Sequence, residues 1–205
     1  MISLIAITDS SAPPPSAPVS AVSAGSLCAL CVQGDDEPVT VDTLVEREAL
    51  LEALMEDRDV LPVRFGSAVA DERAAAQLLL DRHDELAAAL DQVRGAVELS
   101  VRARLVGSEA GEHAVHASGR EYLRARVGGS AAATRIHESL KAISRSAIVR
   151  SGGREVLRAA YLVDRSRVRG FVLEVRRIQD SCTELSILCT GPWPPFSFAG
   201  AEPPS

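Results

Sequence analysis

Apolar and polar residues alternate most strictly between Val97 and Leu105. Val97, Leu99, Val101, Ala103 and Leu105 fall on one side, and Glu98, Ser100, Arg102 and Arg104 on the other. A period of two over this length predicts a strand with one buried and one wet face. Shorter apolar runs predict further strands over residues 1–8, Val19–Val22, Ser26–Val32, Val60–Val63, Glu155–Val163 and Thr183–Cys189. Pro62 marks its strand as an edge or a strand start, because proline cannot donate to a ladder.

A helical period governs the segments between. The spacing predicts a helix over Val41–Asp57, capped by Thr40, with Val41, Leu44, Val45, Leu51 and Met55 on one face. A second helix is predicted from its cap at Asp71 to about Arg94, stopped by Gly95; Leu79, His83, Leu86, Leu90 and Val93 form its stripe. A third helical region runs from about Arg120 to Val149, with Ile136, Leu140, Ile143 and Ala147 in line and a break expected at Gly128-Gly129. A fourth follows a cap at Asp164, with Val168, Phe171, Val172, Val175 and Ile178 facing inward.

Loops separate these elements: the stretch holding Pro13, Pro14, Pro15 and Pro18, the polar break Gly34–Pro38, residues 107–118, and the turn Ser151-Gly152-Gly153. The order β-β-β-α-β-α, then β-α-β-α-β, predicts an α+β protein of two domains. The N-terminal domain spans residues 1–94 and is mixed α+β. The C-terminal domain spans 95–190 and reads as a ferredoxin-like βαβαβ pattern with one strand altered. Residues 191–205 form an extended, proline-rich tail, predicted to end the last strand and to pack on the C-terminal domain.

The chain has 205 residues, enough to bury a core without disulfides or metals. Aromatics make up only 3%, so the core must be aliphatic. The net charge of −6 argues against general nucleic-acid binding, which needs a basic face. The opening Met1–Ile7 run is too short for a secretory signal and lacks a basic flank. No apolar run approaches the roughly 20 residues of a membrane helix. These features predict a cytoplasmic protein that binds neither membrane nor nucleic acid.

Candidate chemistry is sparse. No nucleophile elbow, phosphate loop or dinucleotide fingerprint is present. Ser151-Gly152-Gly153-Arg154 opens a strand rather than a helix and offers no phosphate cradle. Cys28 and Cys31 have the spacing of half a zinc site, but they lie in an apolar run that reads as a strand. Three-residue spacing there points to opposite faces, which favours small buried side chains. His113 and His116 lie beside Glu109 and Glu112 in a loop that reads as solvated, and His83 reads as a partly buried core histidine. Arg165, Arg167, Arg169, Arg176 and Arg177 read as a solvated helix face. The chain therefore carries no catalytic or metal-ligating candidate, no cofactor and no small-molecule substrate.

Two segments are less generic. In Leu61-Pro62-Val63-Arg64-Phe65-Gly66-Ser67, an arginine follows a short apolar strand directly. It can lock the turn through a buried ion pair, or present Arg64 and Phe65 to a partner. In Gly191-Pro192-Trp193-Pro194-Pro195-Phe196-Ser197-Phe198, prolines stiffen the backbone while Trp193, Phe196 and Phe198 supply large apolar contact area. This segment can fold back on its own protein or dock onto another. Arg64, Phe65, Trp193 and Phe196 are thus the candidate partner-binding residues.

These blocks, with Ala159-Ala160-Tyr161-Leu162-Val163-Asp164-Arg165 and the weaker Gly119-Arg120-Glu121-Tyr122-Leu123, occur in an order that resembles the gas vesicle protein F/L family across nearly the whole chain. The chain departs from that pattern at Arg47, where a histidine is common, at Arg158, where asparagine is common, and in Met1–Thr8, which lacks tyrosine. The resemblance implies an N-terminal α+β domain, a ferredoxin-like C-terminal domain with a tail, and no enzymatic activity. It implies a cytoplasmic or gas-vesicle accessory protein whose partners are the small hydrophobic shell protein GvpA and other accessory proteins. From the βαβ pattern alone, a regulatory module binding a small molecule is the alternative.

Overall fold

The computed structural model describes residues 1–34, 40–106, 131–150 and 155–200, and among these it contains two sheets and five helices. The predictions for Gly34–Pro38 beyond Gly34, for the loop with His113 and His116, for Gly119–Leu123, for the Gly128-Gly129 break and for Ser151–Arg154 lie outside the described residues. The chain divides into two units. One comprises Met1–Ala96 with residues from Trp193 onward, the other Val97–Pro192.

The first unit is built on β1 (Ile2–Asp9), whose residues from Leu4 to Thr8 are all buried. β1 pairs antiparallel with β3 (Leu27–Gln33), which pairs with β2 (Val19–Ala24). On the other side of β1 lie two short strands, β4 (Leu61–Pro62) and β5 (Ala68–Val69). The order is β2-β3-β1-β4, with β5 also paired to β1. Pro62 therefore stands on an edge strand, as its chemistry predicts. Leu27 to Cys31 are buried without alternation, the mark of a strand covered on both faces.

Helices cover the sheet. α1 (Val41–Leu54) starts at Thr40, whose side chain accepts from the Thr43 N–H in a capping box. Its predicted stripe is only half right. Leu51 and Met55 are buried, joined by Leu54, but Val41, Leu44 and Val45 are 75, 43 and 57% exposed. The predicted second helix is two helices, α2 (Glu72–Asp81), capped by Asp71, and α3 (His83–Val93), broken at Arg82. A straight helix over that span would run about 33 Å, longer than the roughly 27 Å of an eight-residue strand. The break keeps both apolar faces, Ala75 and Leu79 then Leu86, Leu90 and Val93, buried. His83 begins α3, half-exposed, and its Nε2 lies 2.9 Å from Ser26 Oγ. It is not a core histidine.

The tail differs from expectation. Residues from Trp193 group with the first unit rather than with the C-terminal domain, and the 3-10 turn Phe196–Phe198 packs on α3. Burial of Phe198, 4% exposed, with half-buried Trp193 supplies the physical reason: large apolar side chains settle where a hydrophobic helix face takes them.

The second unit holds β6 (Ala96–Leu105), α4 (131–141), β7 (Ser146–Val149), β8 (Leu157–Asp164), α5 (Val168–Ser181) and β9 (Leu185–Trp193). Its strand order is β7-β8-β6-β9. The predicted alternation of β6 holds from Leu99 to Arg104 but fails at Glu98, which is buried. The predicted helix to Val149 ends instead at 141. Ser146–Val149 form β7, antiparallel to β8 with Ser146 opposite Leu162. A stripe of four apolar residues did not reveal that its last member, Ala147, pairs in a sheet.

Asp164 does not cap a helix. A 3-10 turn at Arg165–Arg167 intervenes, and the Asp164 carboxylate accepts from Arg145 instead. β9 continues through Gly191-Pro192 to Trp193, beyond its predicted end. It is an edge strand, where a residue without an N–H can be accommodated. The core joins Leu99, Val101, Ile136 and Leu140 to Tyr161 and Phe171. Tyr161 is fully buried, and its ring lies 5.3 Å from that of Phe171. Its hydroxyl lies 3.0 Å from His137 Nδ1, and burial raises its pKa above the usual tyrosine value.

Candidate functional site

The segment from Leu61 to Val69 crosses β1 at the one irregular point of that strand. The register shifts between Leu4 and Ala6, so Ile5 is an extra residue, a β-bulge. β4 pairs with Ala6 and Ile7, and β5 with Ile2 and Ser3. The turn Arg64-Phe65-Gly66-Ser67 lies between them. Ser67 N–H donates to the Arg64 carbonyl at 3.2 Å, and Gly66 has φ +83°. A turn with positive φ at its third residue favours glycine there. Leu4 N–H donates to Ser67 O at 2.8 Å, and Val63 N–H to Ile5 O at 3.0 Å, so turn and bulge are tied together.

A bulge leaves carbonyls that the ladder does not satisfy. Here Ile5 O accepts from Val63 N–H, and a side chain from α1 serves the neighbouring Leu4 and Val63 carbonyls. Arg47 Nη2 donates to the carbonyls of Leu4, Ile5 and Val63, the last at 3.2 Å. Its guanidinium carbon stands 5.3 Å from the centre of the Phe65 ring, a cation–π contact. Burial lowers the Arg47 pKa below the ordinary arginine value. Arg47 therefore ties α1 to this turn, while Arg64 is exposed rather than buried. The sequence signal was available: Arg47 precedes Leu51 and Leu54 by four and seven residues, on the buried face of α1.

Between α1 and the sheet lies a cavity of about 340 Å³. Ser3, Ile5, Val32, Arg47, Leu50 and Phe65 are among its walls. Of the four candidate partner-binding residues, Phe65 alone lines it. Trp193 is half-buried, and Phe196 is 46% exposed beyond it in the tail. The cavity does not unite Phe65 with Arg64, Trp193 or Phe196.

Cys28 and Cys31 are buried, as a strand reading predicts, and burial pushes the Cys31 thiol up to about 11. Among the described residues, no group of three or more His, Cys, Asp or Glu could hold a metal ion. No helix among them is long and apolar enough to cross a membrane.

The family model described as "Gas vesicle synthesis protein GvpL/GvpF" matches residues 6–200. The chain is 33% identical over 188 residues to "Gas vesicle protein L" of a Streptomyces species, a match covering 78% of this chain and 69% of that protein. It is 29% identical over 174 residues to "Gas vesicle protein F1" of Halobacterium salinarum, covering 82% and 75%. The fold superposes on the crystal structure of the gas vesicle protein GvpF from Anabaena sp. PCC7120 with a TM-score of 0.80. That match covers 98% of this chain and 96% of the other at 18% identity.

Proposed function

Because the chain belongs to the gas vesicle synthesis protein GvpL/GvpF family and so takes part in gas vesicle formation, we propose that it is a non-enzymatic assembly factor. In this reading it binds the hydrophobic shell protein GvpA and other accessory proteins, and works in the cytoplasm and at the growing vesicle. The observation that carries it is the apolar opening of α1. Val41, Leu44 and Val45 are exposed on one short stretch of a well-capped helix. Contiguous apolar surface that a fold leaves in water marks a place for another protein. A shell that excludes water needs subunits with apolar surface, and such subunits aggregate until that surface is covered.

Arg64, Phe65, Trp193 and Phe196 are the proposed further contacts, with exposed Arg64 and Phe196 leading. The strand order β7-β8-β6-β9 with α4 and α5 supports a ferredoxin-like reading of the second unit. That architecture by itself names no ligand.

Co-expression with GvpA tests the proposal. The expected result is co-purification and a gain in soluble GvpA, both reduced when Val41, Leu44 and Val45 are changed together to serine. Neither capture nor gain in solubility with the parent chain would sink the reading.

A further inference from the structure

The cavity beneath α1 contains a half-buried charge, Arg47, with no carboxylate paired to it among the described residues. Arg47 commits Nη2 to main-chain carbonyls. Nη1 reaches only Ser3 Oγ, at 3.5 Å, the outer edge of a hydrogen bond. Nε is buried with no hydrogen-bond partner. Glu46, from the same helix, lines the cavity but makes no hydrogen bond or ion pair with the guanidinium. A cation taken out of water without a paired anion is costly, and the cost is relieved when a carboxylate arrives.

The rest of the cavity specifies what carries that carboxylate. Ile5, Val32, Leu50 and Phe65 supply the apolar part of its walls, while Ser3 offers a hydroxyl beside Nη1. Outside it, Leu44 shares a helix face with Arg47, three residues on, and Val41 shares one with Leu44. Val41 and Leu44 are both exposed. A small free acid would fill the cavity and leave that ridge wet; a polypeptide would cover both.

We infer that this cavity receives a carboxylate borne on an apolar polypeptide segment of a partner. The carboxylate accepts from Arg47 Nη1, only weakly engaged by Ser3, and from the Ser3 hydroxyl, and the flanking apolar residues lie along Val41 and Leu44. The inference rests on the reading of this chain as a protein-binding factor and adds the chemistry of the segment bound.

The probe is a blocked synthetic peptide of Leu, Val and Ala with one central glutamate, titrated against the full chain by fluorescence anisotropy. A glutamine version and hexanoate serve as comparisons. The glutamate peptide is expected to bind about tenfold more tightly than the glutamine peptide, the scale of one charge-assisted contact. Ser3→Ala and Leu44→Ser each weaken it, with folding checked by thermal melting, and Glu46→Gln strengthens it by removing a like charge. Equal affinity for the two peptides overturns the carboxylate site. Hexanoate binding as tightly as the glutamate peptide, with Leu44→Ser without effect, overturns the polypeptide. Because the probe is synthetic, failure here with GvpA capture intact removes this site alone. Peptide binding without GvpA capture supports the site and counts against the assembly reading.

Discussion

The two units solve the same packing problem differently. Among its described residues, the second unit buries its aromatics: Tyr161 and Phe171 meet tilted with ring centres 5.3 Å apart, and the Tyr161 hydroxyl finds His137. The first unit leaves its core open at one place. Its central strand carries a bulge, an arginine serves the neighbouring Leu4 and Val63 carbonyls, and a cavity of about 340 Å³ remains beside them. Its covering helix also holds apolar residues in water. Burial of apolar surface stabilises a fold, and irregular strands, buried charge and voids reduce that stability. The bulge, the arginine and the cavity together support placing the proposed partner surface on the first unit.

Three substitutions break or sharpen this contrast. The largest effect belongs to the core of the second unit: Phe171→Ala is expected to cost about 3–5 kcal/mol, since a fully buried ring leaves a cavity that rigid neighbours cannot fill. Urea denaturation reads it; a cost under about 1 kcal/mol would mean that this core is as yielding as the other. Next comes Arg47→Leu. It matches the apolar surroundings but strips the Leu4 and Val63 carbonyls of their donor, for an expected loss of about 2–3 kcal/mol. Arg47→Lys is expected to recover only part of this, because an ammonium cannot reach in a planar fork. Full stability in Arg47→Leu would show that the bulge needs no side-chain donor.

The smallest effects come from a pair of glycines with open space where a Cβ would go. Gly66→Ala is expected to destabilise by about 1–2 kcal/mol, because φ of +83° is strained for any other residue. Gly170→Ala, in α5 and without a positive φ, is expected to stabilise by about 0.5–1 kcal/mol through helix propensity. Thermal melting of both variants distinguishes a glycine that the turn requires from one that the helix merely tolerates.

Local pattern alone determined much of this protein. Alternation placed β6 and the apolar run placed β8; Thr40 and Asp71 were legible as caps, because a cap is a contact across three residues. The family too was legible, in blocks such as Val60–Ser67 and Thr190–Phe198. What pattern could not reach was set by contacts distant along the chain. β7 exists because β8 pairs with it, and β9 runs through Pro192 because it stands at an edge. The apolar stripe of α1 looked uniformly buried, yet only its C-terminal half meets the core. Arg47 looked like a departure from a family pattern and turned out to hold the bulge at Ile5, more than forty residues away. Hydrogen-bond demand at a bulge arises only when strands pair. No local period can announce it, and so the central residue of the candidate site was decided by tertiary structure.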